Sequence, residues 1–257
     1  MKMTGRTVLI TGGTSGIGLE LAKQLIARGN TVVVTGRHPD RLQAAVRSVP
    51  GLHALASDVS DPASIESLYE TVSGRFPSLD TLVNNAGAMR NIKLNQSWRL
   101  NDLTAEIDGN LKGPMWMAQT FLPLLRRQTR ALIVNVSSGL AFIPFPAAPV
   151  YSASKAALHA YTQCLRAQLE GTSVSIVELA PPGTETPLFR REFAEEMKSE
   201  KGMDVDVLVK RAIAGIEAGK LEIRPGVSNL LKIASRVAPH FMFRQMVKLG
   251  RTEPSGS

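Results

Sequence analysis

Tyr151 and Lys155 stand four residues apart. That spacing stacks two side chains on one face of a helix, about one turn and roughly 6 Å apart along the axis. A phenol with a pKa near ~10 is a poor acid at neutral pH, and a cation beside it favours the phenolate. At an effective dielectric near 20 and a separation of ~4 Å, two unit charges interact by about 4 kcal/mol. At ~1.36 kcal/mol per pKa unit this amounts to about three units, enough to bring a tyrosine towards neutrality. Tyr-x-x-x-Lys alone is common by chance, so its weight rests on what precedes it.

A second chemical signal lies near the start, in the turn Thr11-Gly12-Gly13-Thr14-Ser15-Gly16-Ile17-Gly18. It follows a short apolar run, Val8–Thr11, and opens an amphipathic pattern in which Leu19, Ala22, Leu25 and Ile26 share a face. Gly12, Gly16 and Gly18 fit a pyrophosphate site: glycine lets the backbone approach phosphate while the helix start offers N–H donors and partial positive charge. The Thr14 and Ser15 hydroxyls suit either phosphate contact or helix capping. At the end of the next strand, where an acid would bind a ribose 2′-hydroxyl and select NAD, the sequence reads Val34-Thr35-Gly36-Arg37. A guanidinium there can pair with a 2′-phosphate, so NADP(H) is expected over NAD(H), with a solvated surface arginine as the competing reading.

The elements that would position these residues alternate along the chain. Strands are expected at Val8–Thr11, Thr31–Thr35, near Leu52–Ala56, Thr81–Asn84, Ala131–Val136 and Val174–Leu179. Helices are expected from about Asp40, over Pro62–Phe76, as one long element over Leu103–Arg127, and over Tyr151–Leu169. Strands separated by helices of this length imply a parallel sheet covered on both faces, with ligands at the strands' carboxyl ends. The fold class is therefore α/β, a single doubly wound Rossmann-type domain over residues 1–251 with a seven-stranded parallel sheet, followed by a tail over 252–257.

Bulk properties limit the other readings. The 257 residues, 44% hydrophobic and 20% charged, are ordinary for one large water-soluble domain. No apolar run reaches the roughly eighteen residues a bilayer span needs, and the start leaves no room for a signal peptide. A cytoplasmic location is expected. The single cysteine, Cys164, excludes an internal disulfide and is expected to be buried within its helix. No His/Cys cluster has metal-ligand spacing, so no metal is expected. Net charge is +8, of which +5 comes from Arg224 onward (six basic residues against Glu253), so the body is only mildly basic and a nucleic-acid partner is not expected.

Taken together, the glycine turn, Asp58-Val59 after strand three, Asn84-Asn85-Ala86-Gly87 after strand four, Asn110, Ser137-Ser138 ending strand five, and Tyr151-x-x-x-Lys155 closely resemble the short-chain dehydrogenase/reductase family. The resemblance covers residues 5 to about 190. It implies a nicotinamide dinucleotide cofactor and hydride transfer to or from a carbonyl or alcohol carbon. It also assigns roles: Ser138 bonds the substrate oxygen, Tyr151 is the acid/base, and Lys155 lowers the tyrosine pKa and binds the nicotinamide ribose. Asn110 kinks its helix and holds a relay water. Asp58 and Val59 contact adenine, and Asn85, Ala86 and Gly87 lie beside the cofactor riboses. The chemistry agrees, since two hydroxyl donors could stabilise charge growing on a ketone oxygen and one of them protonate it. A dinucleotide-sensing regulatory protein without turnover is the alternative.

One departure from the family pattern concerns the nicotinamide carboxamide. Relatives read Pro-Gly-x-x-x-Thr after strand six; here Pro181, Pro182, Gly183, Thr184, Glu185 and Thr186 follow. Alignment on Thr186 is preferred and puts Pro182 where glycine is usual, which removes an N–H and fixes φ; alignment on Pro182-Gly183 would instead leave the loop one residue short. Pro181, Thr184 and Thr186 remain the expected cofactor contacts.

The substrate side reads as apolar. Leu140, Ala141, Phe142, Ile143 and Phe145 lie in a proline-stiffened loop, and Leu188, Phe189, Phe193 and Met197 fall at helix-like spacing within a lid over about 184–204. An apolar ketone or aldehyde is expected, with packing of that loop on its own core or on a partner subunit as an equal alternative. The resemblance further implies a homodimer or homotetramer. Residues 226–249 form a basic amphipathic segment that Pro239 divides into two helices. Packing of this segment on the domain or a subunit is the preferred reading, and contact with a membrane surface is the alternative.

Overall fold

Val8–Ile10 and Val32–Val34 are apolar without interruption, as strands covered on both faces are. They form β1 (Thr7–Thr11) and β2 (Thr31–Gly36), parallel and in register with Val8 opposite Val32 and Ile10 opposite Val34. The computed structural model, which describes residues 1–193 and 201–250, extends this pair into a seven-stranded parallel sheet. Its other strands are β3 (His53–Ala56), β4 (Thr81–Asn84), β5 (Ala131–Val136), β6 (Val174–Leu179) and β7 (Glu222–Ile223). The order is β3-β2-β1-β4-β5-β6-β7, so the winding reverses between β1 and β4 and opens a crevice at their carboxyl ends. β7 has two residues and no periodicity to announce it.

Among the described residues, ten α-helices carry the chain between and beyond the strands. They are α1 (Gly16–Ile26), α2 (Pro39–Ser48), α3 (Pro62–Arg75), α4 (Leu100–Ile107), α5 (Gly113–Arg126), α6 (Pro149–Gln168), α7 (Pro187–Arg191), α8 (Val205–Glu217), α9 (Val227–Val237) and α10 (Pro239–Leu249). Strand alternation divides the core. Val8, Ile10, Val32 and Val34 pack under Leu21, Leu25, Ala45 and Ile213 of α1, α2 and α8. Leu9, Val33, Leu82 and Ile133 face Ile65, Leu68, Met117 and Phe121 of α3 and α5.

Two expectations are corrected. The long helix over Leu103–Arg127 is instead α4, a π-turn over Asp108–Lys112, and α5. Pro114 has no N–H to give the Asn110 carbonyl, and Asn110 is drawn out towards Ala88, so the helix widens at this point. Cys164 is exposed rather than buried. The inward stripe of α6 runs through Tyr151, Lys155, Leu158 and Thr162, and position 164 falls on the opposite side. Within the lid, Phe189 and Phe193 are buried but Leu188 is exposed. Met197 and the tail over 252–257 lie outside the described residues.

Candidate active site

A cleft of about 390 Å³ runs across the carboxyl ends of the strands. Every residue singled out above for catalysis or cofactor contact lines it except Gly18, which lies just behind. One end is the glycine turn. Gly12 and Gly16 adopt φ of 64° and 54°, where a Cβ is strained. A Cβ on Gly12 would lie 2.7 Å from the Ala86 Cα, and one on Gly18 would lie 2.5 Å from the Asn85 Nδ2, so the turn is a close-packed cradle of bare backbone. Thr11 fastens it to β4: its hydroxyl accepts the N–H groups of Asn85 and Ala86, both at 3.0 Å, while Asn85 Nδ2 donates to the carbonyls of Thr11 and Gly12. Ser15 gives α1 no side-chain cap, which removes capping as its role and leaves the helix start facing the cleft.

At the far side of the cradle, Arg37 Nη1 stands 3.7 Å from Asp58 Oδ2, and both line the cleft beside Val59. Burial pushes the Asp58 carboxyl up, but hydrogen bonds from Ser60 and the Arg37 charge together hold it below its ordinary value. His38 and Arg41 line the same end, two cationic or titratable groups that sequence reading passed over. Their position at the start of α2, directly after Arg37, was the available signal.

The catalytic candidates meet at the end of β5. Ser138, extended at φ −165°, accepts the Leu140 N–H at 3.1 Å and forms a hydrogen bond with the Tyr151 hydroxyl. The Lys155 Nζ donates to the Val136 carbonyl at 2.9 Å and lies 5.7 Å from the Tyr151 ring centroid. Asn110 accepts the Ala88 N–H at 2.9 Å and donates to the Ala88 carbonyl and the Ser154 hydroxyl, which pins the segment after β4 against α6.

In this structure burial, more than the Lys155 charge, acts on the Tyr151 phenol. Burial pushes the phenol up to about 12, with the Ser138 hydrogen bond pulling the other way and Glu106 adding to the rise. The same burial pushes the Lys155 ammonium down to about 8. One low-dielectric site disfavours phenolate and ammonium alike, and the ammonium lies over the ring face, hydrogen-bonded to a carbonyl instead of the phenolic oxygen.

Sequence reading also missed two buried carboxylates. Glu106, one turn before Asn110, lines the cleft; its Oε1 accepts the Arg90 N–H at 2.9 Å, and burial raises its pKa. Glu178 on β6 accepts the Ser137 hydroxyl and holds His159 Nδ1 at 2.7 Å, directly behind Ser138. His159, Glu178 and Glu222 bring their ligand atoms within 4.8 Å of one another, but the positive charge there comes from Lys232 and Arg224, both paired to Glu222. Removing Glu178 would leave the buried Ser137 hydroxyl and the half-buried His159 Nδ1 without their carboxylate partner. Glu178→Ala is expected to cost about 3 kcal/mol in urea unfolding, and a loss under about 1 kcal/mol would refute that role.

Beyond Tyr151 the cleft is walled by Met89, Leu140, Phe145 and Phe189. The loop after β5 is packed on its own chain: Ile143 and Phe145 are buried in a cluster with Phe193 and Met246 of α10. Thr184 bridges to Met203, and Thr186 caps α7 by accepting the Phe189 N–H at 3.3 Å. Thr186 also lies against the cradle, 3.2 Å from where a Gly16 Cβ would stand, so the loop containing Pro181 and Pro182 closes over the glycine turn.

Comparison with known proteins places these features in context. The family description that matches is short chain dehydrogenase, over residues 6–197. The chain is 40% identical over 247 residues to an uncharacterized oxidoreductase, DltE, of Bacillus subtilis, covering 96% of this chain and 98% of that protein. A short chain dehydrogenase from Burkholderia cenocepacia, solved in complex with NADP, superposes with a TM-score of 0.83 at 23% identity, over 96% of this chain and 99% of the other. One from Burkholderia phymatum in complex with NAD superposes with a TM-score of 0.83 at 20% identity, over 100% of this chain and 99% of the other.

Proposed function

The chain belongs to the short chain dehydrogenase family of oxidoreductases, and from that premise we propose that it transfers hydride between NADP(H) and a carbonyl or secondary alcohol on an apolar substrate. The observation that carries this reading is the meeting of Ser138, Tyr151 and Lys155 at the end of β5, beside a cradle of bare backbone. The cradle fits a pyrophosphate, because Gly12, Gly16 and the uncapped start of α1 offer N–H donors that no side chain covers. Arg37, with Arg41 behind it, would pair with a 2′-phosphate; Asp58 and Val59 would flank adenine, and Asn85, Ala86 and Gly87 the riboses. The nicotinamide supplies the hydride.

Within that arrangement each residue of the chain has a task. Ser138 and Tyr151 donate hydrogen bonds to the substrate oxygen, where negative charge develops during reduction, and Tyr151 gives up its proton. A phenol held protonated by burial suits the reductive direction, because the acid is fully loaded at neutral pH. Lys155 places its ammonium beside the ring and the nicotinamide ribose. Asn110 holds the wall opposite, with a main-chain carbonyl that Pro114 leaves without its helical partner. Met89, Leu140, Phe145 and Phe189 exclude water from the reacting carbon and favour an apolar carbonyl compound.

The direct test is NADPH oxidation over a panel of aldehydes and ketones of graded hydrophobicity. Turnover that rises with apolar surface is expected. Cofactor binding with no turnover on any carbonyl compound would instead support a dinucleotide-sensing protein, and turnover confined to small polar ketones would remove the apolar substrate. The pH dependence has a definite sign. Lys155 keeps its charge only below about 8, well before Tyr151 loses its proton at about 12. Reductive kcat/KM for NADPH, which reports the free enzyme, is therefore expected to fall above about pH 8, and Lys155→Met is expected to erase that limb. A wild-type profile flat to about pH 10 contradicts it.

A further inference from the structure

We propose that α9 and α10 form a docking face for an anionic membrane surface. Of the eleven large hydrophobic residues exposed among the described residues, six lie between Val227 and Phe243. Leu230, Ile233 and Val237 are 63%, 53% and 79% exposed and share one side of α9, and Phe241, 60% exposed, follows four residues later in α10. Of the large apolar residues of α9, Leu231 turns partly inward, against the cluster of Phe145 and Met246, while the others face outward, unlike an ordinary surface helix. The buried residues of α9 are Ser228 and Lys232, with Ser235 half-buried on the same side. Lys232 is held inward by Glu222 and lies 5.1 Å from the Phe142 ring centroid, while the Ser228 hydroxyl has no hydrogen-bond partner. A helix that buries serine and lysine while exposing leucine, isoleucine and valine has been oriented for something beyond the domain. Scattered surface hydrophobics need no such account; a contiguous stripe does.

Charge decides between the occupants. Arg224 to Gly250 contains five basic residues and no acid. Arg224 and Lys232 are neutralised by Glu222. Arg236, Arg244 and Lys248 are exposed and have no carboxylate partner among the described residues. In a two-fold dimer through this face the same patch meets itself, so these cations would be gathered together with no anion in the segment to offset them. A bilayer rich in anionic headgroups supplies the offset, while its acyl region accepts Leu230, Ile233, Val237 and Phe241. No helix among the described residues is long and apolar enough to cross a membrane, so the contact lies on the surface. Met246, on the inner side of α10, shares a buried cluster with Phe145 and Tyr151, so the helix that would meet lipid is connected through that cluster to the substrate end of the cleft.

The inference does not depend on the oxidoreductase reading, because it is tested without substrate. The full chain would be sedimented with vesicles of phosphatidylcholine alone and with vesicles one-third phosphatidylglycerol. Partition onto the anionic vesicles is expected to exceed that onto neutral ones by roughly tenfold or more, and to fall as salt is raised. Combined Leu230→Ser, Ile233→Ser and Phe241→Ser is expected to abolish binding, and combined Arg236→Gln, Arg244→Gln and Lys248→Gln to lower it about tenfold. All these positions are exposed, and unchanged circular dichroism and NADPH affinity would verify that the variants fold. Absence of vesicle binding, equal binding to both lipids, or undiminished binding by the serine variant overturns the proposal. So does a wild type that ignores vesicles and loses subunits in light scattering when the three serines are introduced, which assigns the face to a second copy.

Discussion

Tyr151→Phe is expected to lower kcat for carbonyl reduction about a thousandfold while leaving NADPH affinity within about threefold. The phenolic hydroxyl is the one group placed to hand a proton to the nascent alkoxide, and general acid catalysis is typically worth about 10²–10⁴. The ring itself belongs to a packed cluster with Phe145, Phe189 and Met246, and phenylalanine preserves that packing. Folding stability is therefore expected to hold, since the lost hydrogen bond to Ser138 is balanced by no longer burying a hydroxyl. Single-turnover absorbance at the NADPH band, together with a binding titration, separates chemistry from affinity. If the variant turned over within about tenfold of wild type, the proton would come from elsewhere and the assignment of Ser138, Tyr151 and Lys155 would fail with it.

Arg37→Asp is expected to reverse cofactor preference. A charge-assisted hydrogen bond contributes about 1.5–3 kcal/mol, so its loss lowers kcat/KM for NADPH roughly 10- to 150-fold, and repulsion of the 2′-phosphate by the new carboxylate adds to that. The same carboxylate can accept from a ribose 2′-hydroxyl, so kcat/KM for NADH is expected to rise. Asp58 lies 3.7 Å from the guanidinium and already competes for it. Arg41, on the same wall of the cleft, makes Arg41→Leu a smaller second step in the same direction. A wild type that used NADH as well as NADPH would defeat the prediction before any substitution was made.

The departures from sequence expectation have a common physical cause. Periodicity reports which side of an element is apolar, and for α1, α3 and the central strands that side is also the buried one. It is only partly so for α9, where Leu231 turns inward but Leu230, Ile233 and Val237 face outward while Glu222 on a two-residue edge strand holds Lys232 inward. The π-turn at Asn110 was foreshadowed by Pro114, but widening the helix also needs Ala88 to claim the Asn110 side chain. Cys164 shows the limit of reasoning from residue type, since a cysteine is buried only if its position on the helix is.

The sequence alone determined the order of β1 to β6, the glycine turn after β1, the absence of a carboxylate after β2, and the spacing of Ser138, Tyr151 and Lys155. These are local properties, carried by residue type and short-range period. The tertiary structure decided what those groups experience. Whether the ammonium acidifies the phenol depends on how much water each sees and on which atom Nζ faces, and here burial drives Tyr151 up to about 12 and Lys155 down to about 8. Proximity in sequence brought the two charges close; the dielectric around them, set by residues from β5, α4 and α10, was fixed only by folding.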